Sequence, residues 1–153
     1  MGYLRDEIQQ AAAGAGIQVR ELAKAEAASI RHAVRSKFAR DMNADYLWKE
    51  LRDDFAVQDA NAWRWIDEFV GDRRTVMFFD ELEETSAFEF ERGVDVVRIL
   101  EETIGFEFYL TNDAIDYVMC FNHHDYLIAA GTAAEWLKRR VGAEQAGDAS
   151  SVR

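Results

Sequence analysis

Apolar positions step by three and four along the first 70 residues, then give way to short unbroken or alternating runs; this change of period predicts helices first and a sheet afterwards. Residues 3–10 read as a short helix that the AAAGAG stretch at 11–16 breaks, since glycine costs about 1 kcal/mol relative to alanine inside a helix. From 17 to 42, Val19, Ala23, Ala27, Ile30, Val34 and Phe38 share one face and predict the longest helix. Leu47, Trp48, Leu51 and Phe55 repeat the spacing over 44–54 behind Asn43 as a cap. Trp63, Ile66 and Val70 repeat it over 61–70, with Gly71 as the stop.

Beyond Gly71 the run TVMFF at 75–79 reads as a central strand buried on both faces. Val94, Val97, Leu100 and Ile104 predict a helix over 93–103 that Gly105 ends. Phe106, Phe108 and Leu110 alternate with Glu107 and Tyr109, as in a strand with one wet face. The apolar runs 117–121 and 126–130, joined by Asn122, His123, His124 and Asp125, form a hairpin. Thr132 as cap and Glu135 three residues on predict a last helix over 132–141, and the small, polar residues 142–153 a frayed, flexible tail. The expected architecture is α+β, with the N-terminal helices packed on a three- or four-stranded, mainly antiparallel sheet that a C-terminal helix follows. A single domain spans 1–153: a helical part at 1–70, the sheet-bearing part at 71–141 and the tail.

Composition narrows the class. A chain of 153 residues with 49% apolar and 12% aromatic content can bury a core, and no stretch reaches the roughly 18 apolar residues of a membrane span. The opening MGYLRDEIQQ lacks the apolar centre of a secretory signal and Cys120 is the single cysteine, so the cytoplasm is the expected compartment. Charge changes the picture most. The net charge is -11, and it is uneven: residues 1–52 hold nine Lys/Arg against seven Asp/Glu, the remainder nine against 22. Such a field repels nucleic-acid phosphates and anionic lipid and speeds encounter with a basic protein.

Three groups of residues carry candidate chemistry. Asp80, Glu81, Glu83 and Glu84 follow the central strand as a dense acidic run that gains from a cationic partner, with Phe88 and Phe90 as neighbouring aromatic anchors. Tyr109, on the wet face of its strand, Asp125 and Trp65 extend this candidate surface; Trp65 lies two residues from Trp63 and so points to the opposite side of its helix. His123 and His124 beside Asp125 have metal or acid/base potential, but neighbouring side chains on an extended chain diverge, and no HxH, HExxH or CxxC spacing accompanies them. No nucleophile, phosphate-loop or dinucleotide motif is present, and no cofactor is expected.

The segments WRWIDEFV at 63–70 and FNHHDYLIAAGTAAEWL at 121–137 resemble a group of small uncharacterised bacterial α+β domains. In size, charge and layout the chain is also similar to the immunity proteins with which bacteria resist toxins delivered by neighbours. The resemblance implies a fold rather than a reaction. The expectation is therefore an acidic cytoplasmic binding domain, an immunity or inhibitor protein that neutralises a basic partner, rather than an enzyme. Its alternatives are a small metal-dependent hydrolase centred on His123, His124 and Asp125, and a structural homo-oligomer using Trp65 and the first helix as its seam.

Overall fold

The computed structural model describes residues 3–103 and 105–151, with side chains through residue 143. Helices α1 (Tyr3–Ala15), α2 (Lys24–Phe38), α3 (Ile66–Val70), α4 (Val94–Glu101) and α5 (Thr132–Ser151) surround strands β1 (Val19–Glu21), β2 (Phe55–Gln58), β3 (Thr75–Phe78), β4 (Phe88–Phe90), β5 (Phe108–Thr111), β6 (Tyr117–Phe121) and β7 (Tyr126–Gly131). The strands form one sheet in the order β1-β4-β3-β5-β6-β7-β2, and every neighbouring pair is antiparallel. The α+β class stands; the sheet has seven strands rather than three or four. The additional ones, β1, β2 and β4, are three or four residues long, too short for a period to declare itself.

Alternation along the central strands divides the interior in two. Met77, Phe88, Phe90, Phe108, Leu110, Met119 and Leu127 face one layer, with Leu4 and Ile8 of α1, Ile66 of α3, Ile99 of α4 and Leu137 of α5. Val76, Phe78, Tyr109, Val118, Cys120 and Ile128 face the other, with Ala27, Val34 and Phe38 of α2 and with Leu47 and Leu51. Helices thus cover both faces of the sheet. β3 is buried throughout, as its apolar run predicts.

Several boundaries differ from the sequence reading for local reasons. α1 runs through Gly14 and ends where Gly16 turns left-handed, with φ +68. The stretch read as one long helix from 17 begins instead with β1, whose Val19 to Glu21 pair with Phe90 to Phe88. The helix predicted over 44–54 is a single 3₁₀ turn, Leu47–Glu50, followed by β2, and the one over 61–70 is a 3₁₀ turn, Ala62–Trp65, running into α3. In β2, Phe55 and Val57 are half-buried while Ala56 and Gln58 are exposed; pairing with β7 sets that alternation. Gly93 precedes α4 where a Cβ would lie 2.6 Å from Val70 Cβ. Ile104 falls outside the described residues.

β5 is buried on both faces, so Tyr109 has no wet face. Gly131 closes β7 with φ +70, where a Cβ would sit 2.3 Å from Asp116 O. Thr132 begins α5, but its hydroxyl donates to Asp116 O rather than capping the helix. α5 continues past Val141 to Ser151.

Candidate functional site

The acidic run after β3 separates into carboxylates that build a turn and carboxylates the turn displays. Asp80 is buried: Leu47 N–H donates to its Oδ1 at 3.0 Å and Tyr109 Oη donates to its Oδ2 at 2.7 Å. Tyr109 Oη in turn accepts from Trp48 N–H at 3.0 Å, and its ring stacks on Phe78 with centroids 5.1 Å apart. Burial raises the Asp80 pKa to about 6, against the opposing pull of these hydrogen bonds and of Arg35, whose Nη2 lies 4.0 Å from Oδ1. Burial also pushes the Tyr109 hydroxyl far above its ordinary value, so it stays a donor.

The backbone closes over this anchor. Glu83 N–H and Glu84 N–H both donate to Asp80 O, at 2.8 and 3.1 Å. Glu84 folds inward, its Oε2 accepting from Ser86 N–H at 3.1 Å while its buried Oε1 has no hydrogen-bond partner. What remains outside is Glu81, Leu82 and Glu83, all exposed, with Leu82 at 65%. Large exposed apolar side chains are few here, and Met42, at 40%, lines the same hollow as Leu82.

Elsewhere in the acidic part of the chain, carboxylates answer to the protein's own arginines. Glu89 meets Arg20 and Arg74, Asp72 meets Arg92, Asp113 meets Arg74, Glu101 meets Arg64 and Glu68 meets Arg140. Among the described residues, Glu81 and Glu83 have no cation within ion-pair distance.

The seven residues singled out from the sequence therefore do not share one role. Glu81 and Glu83 are displayed; Asp80, Glu84 and Tyr109 are internal and hold the display in place. Phe88 and Phe90, expected as interface anchors, are core residues. The apolar member at the surface is Leu82, whose signal was its place between two acidic pairs, DELEE. Trp65 is half-buried, and the Arg140 guanidinium lies over its ring at 3.9 Å. α1, the other half of the expected oligomer seam, packs Leu4, Ile8 and Ala12 into the core.

Asp125 belongs to the β6–β7 turn, with φ +62. That turn does not splay its histidines: the rings of His123 and His124 lie 3.9 Å apart, each about 6 Å from Trp48. The divergence expected of an extended chain fails because the residues sit in a tight turn capped by Asn122, whose Oδ1 accepts from His124 N–H and Tyr126 N–H. Glu107, read from the sequence only as a wet-face strand position, accepts from Trp48 Nε1 at 3.2 Å and from His123 N–H at 3.1 Å, with His123 Nδ1 2.9 Å away. His123, Asp125, Trp63, Phe106 and Phe121 help line a cavity of about 380 Å³ there. Among the described residues, no three His, Cys, Asp or Glu side chains are arranged to hold a metal, and no helix is long and apolar enough to cross a membrane. Cys120 is buried within β6, where burial holds its thiol well above its usual range.

Residues 2–140 match a model of a family of unknown function, DUF6756. No curated protein and no solved structure matches the chain.

Proposed function

The chain belongs to that family, and we propose that it is an acidic protein-binding domain which meets a basic partner through the turn Glu81–Leu82–Glu83. In its finer form the reading is a cytoplasmic immunity or inhibitor protein that neutralises its partner. The observation that carries it is a hydrogen-bonded turn showing an apolar side chain between two carboxylates that, among the described residues, have no cation within ion-pair distance. A well-packed apolar centre with a charged rim is the composition of an interface that steers its partner electrostatically and then holds it by burial. Pre-ordering by Asp80 and Tyr109 lowers the entropy lost on docking.

The test is capture of partners from the native host with the tagged chain, followed by kinetics on the purified pair. A basic partner whose association slows as salt rises is expected. Glu81→Gln with Glu83→Gln should slow association further, and Leu82→Ala should speed dissociation. A partner bound equally well at high salt, and by the Leu82→Ala chain, would overturn the reading.

A second reading, metal-free acid–base chemistry at His123, is favoured by the contact between its Nδ1 and Glu107 Oε1. A carboxylate in that position fixes the imidazole's orientation and tautomer and leaves Nε2 for a substrate proton. Turnover of a panel of activated esters that Glu107→Gln abolishes would support it, and equal turnover by the variant would remove it.

A further inference from the structure

Beside the displayed turn, α2 and residues 42–45 enclose a second hollow, of about 540 Å³, within the usual range for small-ligand sites. Arg31, His32 and Arg35 line it from α2; Arg31 and Arg35 are one helical turn apart and so project from one side. Glu81 and Asp45 line it opposite in charge, and Met42 and Leu82 supply apolar surface.

Arg31 is the unusual member. It is only 7% exposed, and its Nη1 donates to Thr85 O at 3.1 Å. No carboxylate oxygen of a described residue lies within 4.0 Å of it. Arg35, in contrast, donates from Nη1 to Ala44 O at 2.9 Å and reaches Asp80. Burial lowers the Arg31 pKa most; the Glu81 charge opposes it without direct contact, and Arg35 lowers it by a smaller amount. A buried guanidinium with no carboxylate in direct contact is costly, and such groups are normally paired. Its flat fork of donors matches a carboxylate.

We propose that this cavity binds a small zwitterion of the amino-acid class, its carboxylate on Arg31 and its ammonium group toward Glu81 and Asp45. The mixed lining selects the class. A bare anion such as phosphate meets the two carboxylates, and a bare cation meets the two guanidinium groups; a molecule carrying both signs answers both. Met42 and Leu82 are placed to contact an aliphatic side chain. The cavity shares Glu81 and Leu82 with the displayed turn, so an amino acid bound there and a protein docked on the turn compete for these side chains; binding of free amino acids to the chain alone tests the cavity whatever becomes of the partner reading.

Titration calorimetry of the full chain with L-leucine and L-lysine tests it, with acetate, butylamine and sodium phosphate as comparators. Saturable binding of an amino acid, at least about tenfold tighter than that of any comparator, is expected. Arg31→Gln, verified as folded by circular dichroism, should weaken amino-acid binding by about tenfold or more. Glu81 is exposed, so Glu81→Gln tests the ammonium end with little risk to the fold; it should weaken amino-acid binding while acetate, relieved of one repelling carboxylate, binds no more weakly than before. Absence of saturable binding by either amino acid up to about 10 mM would overturn the proposal. Phosphate or acetate binding as tightly, or unaltered amino-acid affinity in the Glu81→Gln chain, would overturn it equally.

Discussion

Tyr109 Oη donates to Asp80 Oδ2 across 2.7 Å within the interior that α2 covers, and that contact ties a central strand to the base of the displayed turn. The same hydroxyl accepts from Trp48 N–H, so one oxygen joins β5, the end of β3 and the 3₁₀ turn beside it.

Tyr109→Phe keeps the ring stacked on Phe78 but leaves Asp80 Oδ2 and the Trp48 amide without the hydroxyl, while Leu47 N–H still serves Oδ1. Leaving buried polar groups unpaired costs about 1–3 kcal/mol each, so urea unfolding should show a loss of about 2 kcal/mol or more. A loss below about 0.5 kcal/mol would mean that water replaces the hydroxyl at no cost.

Asp80 gives stability a pH signature. Its folded-state pKa is raised to about 6 from the ordinary 3.8, so the folded chain holds this proton more tightly than the unfolded chain does. Its contribution is therefore fully present below about pH 4 and lost as pH rises through about 6, to an extent of at most about 3 kcal/mol. Denaturant unfolding from pH 4 to 7, compared with Asp80→Asn, isolates the effect: the stability of the native chain relative to the variant should fall across that window. A constant difference would show that the carboxyl ionises as it would in water.

Gly131→Ala adds a Cβ 2.3 Å from Asp116 O at a φ of +70, and Gly93→Ala adds one 2.6 Å from Val70 Cβ. Neither neighbour is a flexible side-chain end, and overpacking of this kind costs about 1–3 kcal/mol. Thermal melts of both variants should fall by several degrees, Gly131→Ala the further because backbone strain adds to the clash. Gly14→Ala is the control: nothing lies within 4 Å and the position is helical, so its melt should hold or rise.

Leu82→Ala should leave unfolding free energy within about 0.5 kcal/mol of the native chain, because the side chain is 65% exposed. Any loss of partner affinity can then be assigned to the interface. A destabilised variant would show instead that Leu82 is structural.

Elements with enough residues to repeat a pattern were legible in the sequence. The buried run of β3, the hairpin of β6 and β7 and the start of α5 follow from it directly. β1 was hidden because Val19 and Ala23 also fit a helical step, and β4 because Phe88 and Phe90 stand amid acidic residues that read as a loop. Tyr109 was misplaced for a related reason: alternation with Glu107 implies a solvent face, but Glu107 lies outside β5 and α2 covers the face that Tyr109 joins. The acidic run was legible as a feature, not in its division of labour, because the inward turn of Asp80 and Glu84 depends on donors 33 residues away in Leu47 and two away in Ser86. Arg31 gave no signal at all; a cation on an amphipathic helix is ordinarily a solvent-facing residue, and only the packing of residues 42–45 and 81–85 over α2 buries it.

The outermost strand on one side, β1, is only three residues long, and its Arg20 and Glu21 are both exposed. Each is engaged sideways, Arg20 by Glu89 and Glu21 by Arg5. A border so brief and so charged is a poor template for a foreign strand, which makes growth into fibres through this edge inefficient even when the chain is crowded.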